Sequence, residues 1–115
     1  MSTKIKVFNH DYPYHDYKKF TDTDNGSVYV VGDANKYLEG DQHKNFISKD
    51  TIIYCDGAAT IRLNNAENVL IDVIAAVILN LECNIKSIHI VTVEAEKTLY
   101  VWMEGVLPEE TRYAE

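Results

Sequence analysis

The triplet His-Asp-Tyr occurs twice within eight residues, at His10-Asp11-Tyr12 and His15-Asp16-Tyr17. Two imidazoles and two carboxylates are donor types that hold a divalent metal. Ligation needs such donors on a rigid element at a spacing that converges, and HDYPYHDY, interrupted by Pro13, supplies neither. The segment reads instead as an irregular aromatic stretch with polar tips, and neither a metal nor another cofactor is expected. Asp22-Thr23-Asp24-Asn25-Gly26 opens like a calcium loop, but its glycine comes one position early and no bidentate glutamate follows at the required place. A hairpin turn explains it better. Nucleophilic catalysis would require Cys55 beside His43 or His89, and a cysteine in a strand is more simply a packing residue. The five glycines are isolated, so no phosphate loop is present and no catalytic residue is assigned.

The elements that would position these residues follow from patterning. Lys4 to Phe8 reads as a short strand, and Tyr17–Asp24 with Ser27–Val31 as a hairpin about Asn25-Gly26. Asp33 caps a helical turn closed by Gly40. A second hairpin, Thr51 to Leu63 about Asp56-Gly57, places Ile52, Tyr54, Ala59, Ile61 and Leu63 on one apolar face. Residues 65–83 are apolar around most of a helical circumference, with Asn64 and Glu67 as a capping-box start and Asn84 as a stop. A third hairpin, Lys86–Glu94 with Lys97–Glu104, sets Ile88, Ile90, Leu99, Val101 and Met103 inward and His89, Val91, Val93, Tyr100 and Trp102 outward. The expected fold class is α+β: a mainly antiparallel sheet of about five to six short strands with one long central apolar helix.

Composition bounds the function. The 115 residues make a single domain, 1–115, whose residues 105–115 read as an acidic C-terminal extension. The net charge of −7, with Glu94, Glu96, Glu104, Glu109, Glu110 and Glu115 towards the C-terminus, argues against direct nucleic-acid binding, which needs cations to replace phosphate counterions. The apolar run is too short to cross a membrane and no secretory signal is visible, so a cytoplasmic protein with Cys55 and Cys83 reduced is expected.

Residues 64–92, NNAENVLIDVIAAVILNLECNIKSIHIVT, resemble the helix and following strand of ribonuclease H-like domains, where an Asn-Asn pair precedes a helix-borne glutamate. That resemblance implies Glu67 as a metal-binding carboxylate, with Asp33 or Asp56 as the first-strand aspartate.

The leading functional expectation is a small acidic protein-binding or inhibitor protein, of the kind viruses and mobile elements encode, that works by occupying a partner's surface. Its binding residues would be His89, Tyr100 and Trp102, the loop tyrosines Tyr12, Tyr14 and Tyr17, and the rim glutamates Glu109 and Glu110. A homodimer is expected because helix surface beyond the sheet needs cover. The alternative is a small enzyme or nucleotide-binding protein with a His/Asp/Tyr site between subunits, including a divergent ribonuclease H-like domain.

Overall fold

A computed structural model describes residues 12, 14–35, 45–64 and 69–107. The described residues form eight strands: β1 (Tyr14–Phe20), β2 (Val28–Val30), β3 (Ile47–Cys55), β4 (Ala59–Leu63), β5 (Ile71–Val73), β6 (Leu79–Leu81), β7 (Ser87–Val93) and β8 (Leu99–Val106). They form two antiparallel four-stranded sheets, ordered β1-β8-β3-β6 and β2-β7-β4-β5. No α-helix occurs among the described residues. The fold is therefore all-β, which corrects both the α+β expectation and the expected strand number.

The central helix is where the sequence misleads. Residues 69–81 are dominated by valine and isoleucine, whose branched Cβ suits a pleated strand, and a short apolar run has no period that separates strand from buried helix. The segment folds as β5, a turn and β6. In the turn, the Val77 N–H donates to the Ile74 carbonyl at 3.1 Å and the Ala76 N–H to the Cys55 carbonyl at 2.8 Å. Asn64 caps no helix. It adopts φ 56°, and its side chain bridges the start of β7, accepting from the Lys86 N–H at 2.6 Å and donating to the Asn84 carbonyl at 2.7 Å. The helix that carried the ribonuclease H-like resemblance is absent, which removes that fold; Glu67 lies outside the described residues, as do Lys4 to Phe8 and Gly40.

The three turn signals are real, yet none closes a hairpin. Each joins strands of opposite sheets. A tight two-residue hairpin needs positive φ at its first central residue, and in type I′ at both, to match the twist of the flanking strands. At Asn25-Gly26 only Gly26 is positive, at 88°, while Asn25 has φ −55° and ψ 130°, a type II turn closed by Ser27 N–H to Asp24 C=O at 2.9 Å. Glu96 (65°) and Ala76 (63°) repeat the pattern after non-positive neighbours. Turns of this type splay their strands, so β1/β2, β5/β6 and β7/β8 become arches between the sheets, and the Asp56-Gly57 connection does the same for β3/β4. Four nested arches in the order 1-8-3-6 over 2-7-4-5 constitute a jelly roll.

Between the sheets lie Ile53, Ile61, Ile88, Ile90, Leu99, Val101 and Met103, all essentially sealed from solvent. The inward set expected for the last two strands is thus correct. Val93, expected outward, is buried because pairing jumps from Thr60–Thr92 to Ile61–Ile90, leaving Val91 as a bulge that shifts the alternation. In β3 the expected faces are exchanged: Ile53 and Cys55 point inward, Ile52 and Tyr54 outward, since the hairpin that set their parity is not made. β3 bulges at Lys49 opposite the end of β8. There the backbones come so close that an added Cβ on Gly105 would lie 1.8 Å from the Ile47 carbonyl oxygen.

One buried carboxylate ties the sheets together. Asp16 of β1, 3 % exposed, accepts from the Tyr29 hydroxyl of β2, from the Gly32 N–H at 2.7 Å and from the Tyr17 N–H at 2.8 Å. Tyr29 Oη in turn accepts from the Ala34 N–H at 2.8 Å, anchoring the single 3₁₀ turn Asp33–Asn35 that stands where a helical turn was expected.

Candidate binding face

The outer face of the β1-β8-β3-β6 sheet carries the densest group of chemistry-bearing side chains among the described residues. Cross-strand register builds it. Tyr17 of β1 and Ile52 of β3 flank Trp102 of β8; one step along, Lys19 and Tyr54 flank Tyr100. The rings are continuous: Tyr17 to Trp102 at 5.3 Å between centroids, Trp102 to Tyr100 at 6.1 Å with planes 15° apart, and Tyr100 to Tyr54 at 6.1 Å. Tyr17 is exposed, while Trp102, Tyr100 and Tyr54 are half-buried by one another. Pairs at these separations gain stabilisation beyond their area, so the row is held in shape before anything binds.

A polar row borders the rings. His15, Glu104 and Asp50 stand side by side on β1, β8 and β3. His15 Nε2 lies 3.4 Å from Glu104 Oε1, and Glu104 is sealed from solvent. Asp50 and Glu104 are register partners across β3 and β8. Burial raises the pKa of Asp50 first, the charge of nearby Glu82 raises it further, and the neighbouring Glu104 partly opposes both. Asp50 opens on a cleft of about 450 Å³ lined also by Tyr12, Lys49, Glu82, Cys83 and Asn84.

The residues anticipated from sequence divide as follows. Tyr100, Trp102 and Tyr17 share the aromatic face, and Tyr12 lines the adjoining cleft. Tyr14 points the other way and packs on Phe46 at 5.9 Å, part of the core margin. His89 is not opposite Trp102. It lies on β7 in the other sheet, in register with Val28 and Arg62. Glu109 and Glu110 lie outside the described residues. Tyr54, Ile52, Asp50 and Glu104 were missed; Tyr54 and Ile52 were assigned to the core through the hairpin that does not form.

The catalytic alternatives find little support in this geometry. Cys55 is fully buried, and desolvation raises its thiol pKa, which disfavours the thiolate; His89 lies in the other sheet and His43 outside the described residues. Among the described residues no group of three or more His, Cys, Asp or Glu side chains is placed to hold a metal ion. The His15 triplet lies on β1, and His10 outside the described residues. No described helix is long and apolar enough to cross a membrane. No protein-family model, curated protein or solved structure matches this chain.

Proposed function

We propose that the protein works as a small binding protein of inhibitor type, occupying a protein partner's surface with the aromatic face of its first sheet. The carrying observation is the unbroken row Tyr17, Trp102, Tyr100 and Tyr54 on an outer sheet face, with polar groups along one side. Interfaces concentrate their energy in such pre-arranged aromatic anchors and surround them with a polar rim. The jelly-roll topology itself carries no function; the side chains grafted on it do. The acidic balance of the chain favours a basic counter-surface by speeding encounter.

Trp102 is the single tryptophan, so its emission reports occupancy of the face directly. A partner obtained by crosslinking to the wild-type protein should, when purified, change Trp102 emission on titration. Tyr100→Ala should weaken that binding about 30-fold or more, corresponding to an anchor worth ~2 kcal/mol, while the melting temperature stays within a few degrees. Unchanged affinity in Tyr100→Ala and Tyr17→Ala would remove the proposal.

A further inference from the structure

The opposite character of the two edges of the sandwich points to a second interaction surface. Strands β5 and β6 lie together at one edge, β5 paired only with β4 and β6 only with β3. An open strand edge invites pairing with another chain, and proteins guard such edges with lysine, proline or inward charge. The opposite edge is guarded on β1, by His15, Lys18 and Lys19, although Val28 and Val30 of β2 beside it are exposed. The β5/β6 edge is not: in residues 69–81 Asp72 is the only charged side chain, and it is engaged by the Thr60 hydroxyl at 3.3 Å. Val69 and Leu70, which lead into β5, and Ile74, Val77 and Ile78, in the turn between β5 and β6, are between 51 and 69 % exposed. Together they present on the order of 500 Å² of aliphatic surface, the upper range for the largest patch of a monomer.

We infer that this edge is the interface of a two-fold homodimer. A patch that is aliphatic and nearly uncharged offers nothing for a charged partner to complement, whereas a two-fold axis lays it on an identical patch. With its rim of Ala75, Ala76, Asn80 and Cys83, all exposed, it approaches the ~800 Å² per partner of a standard interface. The inference is independent of the proposed function, because the aromatic rings belong to β1, β8 and β3. A homodimer was expected in order to cover a helix; the segment that needs cover is the same, but it presents two short edge strands and the turn that joins them.

Sedimentation velocity of the full chain over a range of micromolar concentrations tests this. Wild type should run at twice the 13.1 kDa chain mass. Ile78→Lys should weaken association at least 100-fold, with an unchanged far-ultraviolet circular dichroism spectrum. Val30→Lys, on the remote strand β2, and Tyr100→Ala should remain dimeric. A wild-type monomer at every concentration overturns the inference, and so does a dimer that survives Ile78→Lys together with Ile74→Lys. Loss of partner binding in Tyr100→Ala with the dimer intact would separate the two surfaces.

Discussion

Replacing Tyr29 by phenylalanine deletes one oxygen that serves two partners. The ring would stay, packed edge-on against Phe20 at 5.5 Å between centroids, so the change isolates the hydroxyl. Asp16 would lose a charge-assisted donor inside the protein, keeping the N–H groups of Gly32 and Tyr17, and the Ala34 N–H would lose its acceptor. A hydrogen bond to a charged group contributes ~1.5–3 kcal/mol and a stranded donor costs ~1 kcal/mol, so the loss should be about 2–4 kcal/mol at pH 7. For a domain of this size that is a fall in melting temperature of roughly 8–16 °C. Urea unfolding followed by Trp102 emission reads it. The pH dependence has a definite sign. Burial raises the pKa of Asp16 and the Tyr29 hydrogen bond pulls it part of the way down. A carboxyl whose folded pKa is raised contributes stability at low pH that is lost as pH climbs through the folded value. Removing Tyr29 raises that value further, so the deficit of Tyr29→Phe should be smallest in acid and grow towards neutrality. A cost under ~0.5 kcal/mol at pH 7, or a deficit that shrinks as pH rises, would refute the reasoning.

Other substitutions probe separate features. Gly105→Ala drives a methyl into the Ile47 carbonyl between two central strands and should cost ~3 kcal/mol or more in chemical denaturation; Gly57→Ala, whose Cβ meets side-chain atoms of Lys97 and Glu94 and no backbone, should cost less. Asp50→Asn removes a carboxyl that resists ionisation, so the decline of stability with rising pH above the ordinary carboxylate range should flatten in thermal melts across pH 3–7. Ile53→Ala should cost about 3 kcal/mol, whereas Ile74→Asp, placed in the core by the helix reading but 65 % exposed, should leave intrinsic folding within ~1 kcal/mol once any dissociation is allowed for. In the dissociated Ile78→Lys variant a thiol reagent should label Cys83 at once and Cys55 only on unfolding.

What was legible in the sequence was local. Asn25-Gly26 and Asp56-Gly57 are marked by residues that favour turn backbone, Ala95-Glu96 less determinately; the chain makes hydrogen-bonded turns at the first and last and a bend at Asp56-Gly57. Alternation in β7 and β8 correctly separated Ile88, Ile90, Leu99, Val101 and Met103 from Tyr100 and Trp102, since period two needs no knowledge of the neighbouring strand. Everything that depended on which strand lies beside which was decided by tertiary structure. Connections without hairpin turn geometry make each presumed hairpin an arch, exchange the faces of β3, and send His89 to the sheet opposite Trp102. The Val91 bulge, invisible to any periodicity, returns Val93 to the core. Tyr17 and Tyr54 meet the rings of β8 only through pairings that join distant parts of the chain, and Asp50 meets Glu104 in the same way. The Val/Ile run of residues 69–81 satisfies a helical stripe and a pair of short strands equally well on its own. The Ile71 strand finds β4 and the Leu79 strand finds β3, and those ladders, supplied by other segments, select the strand.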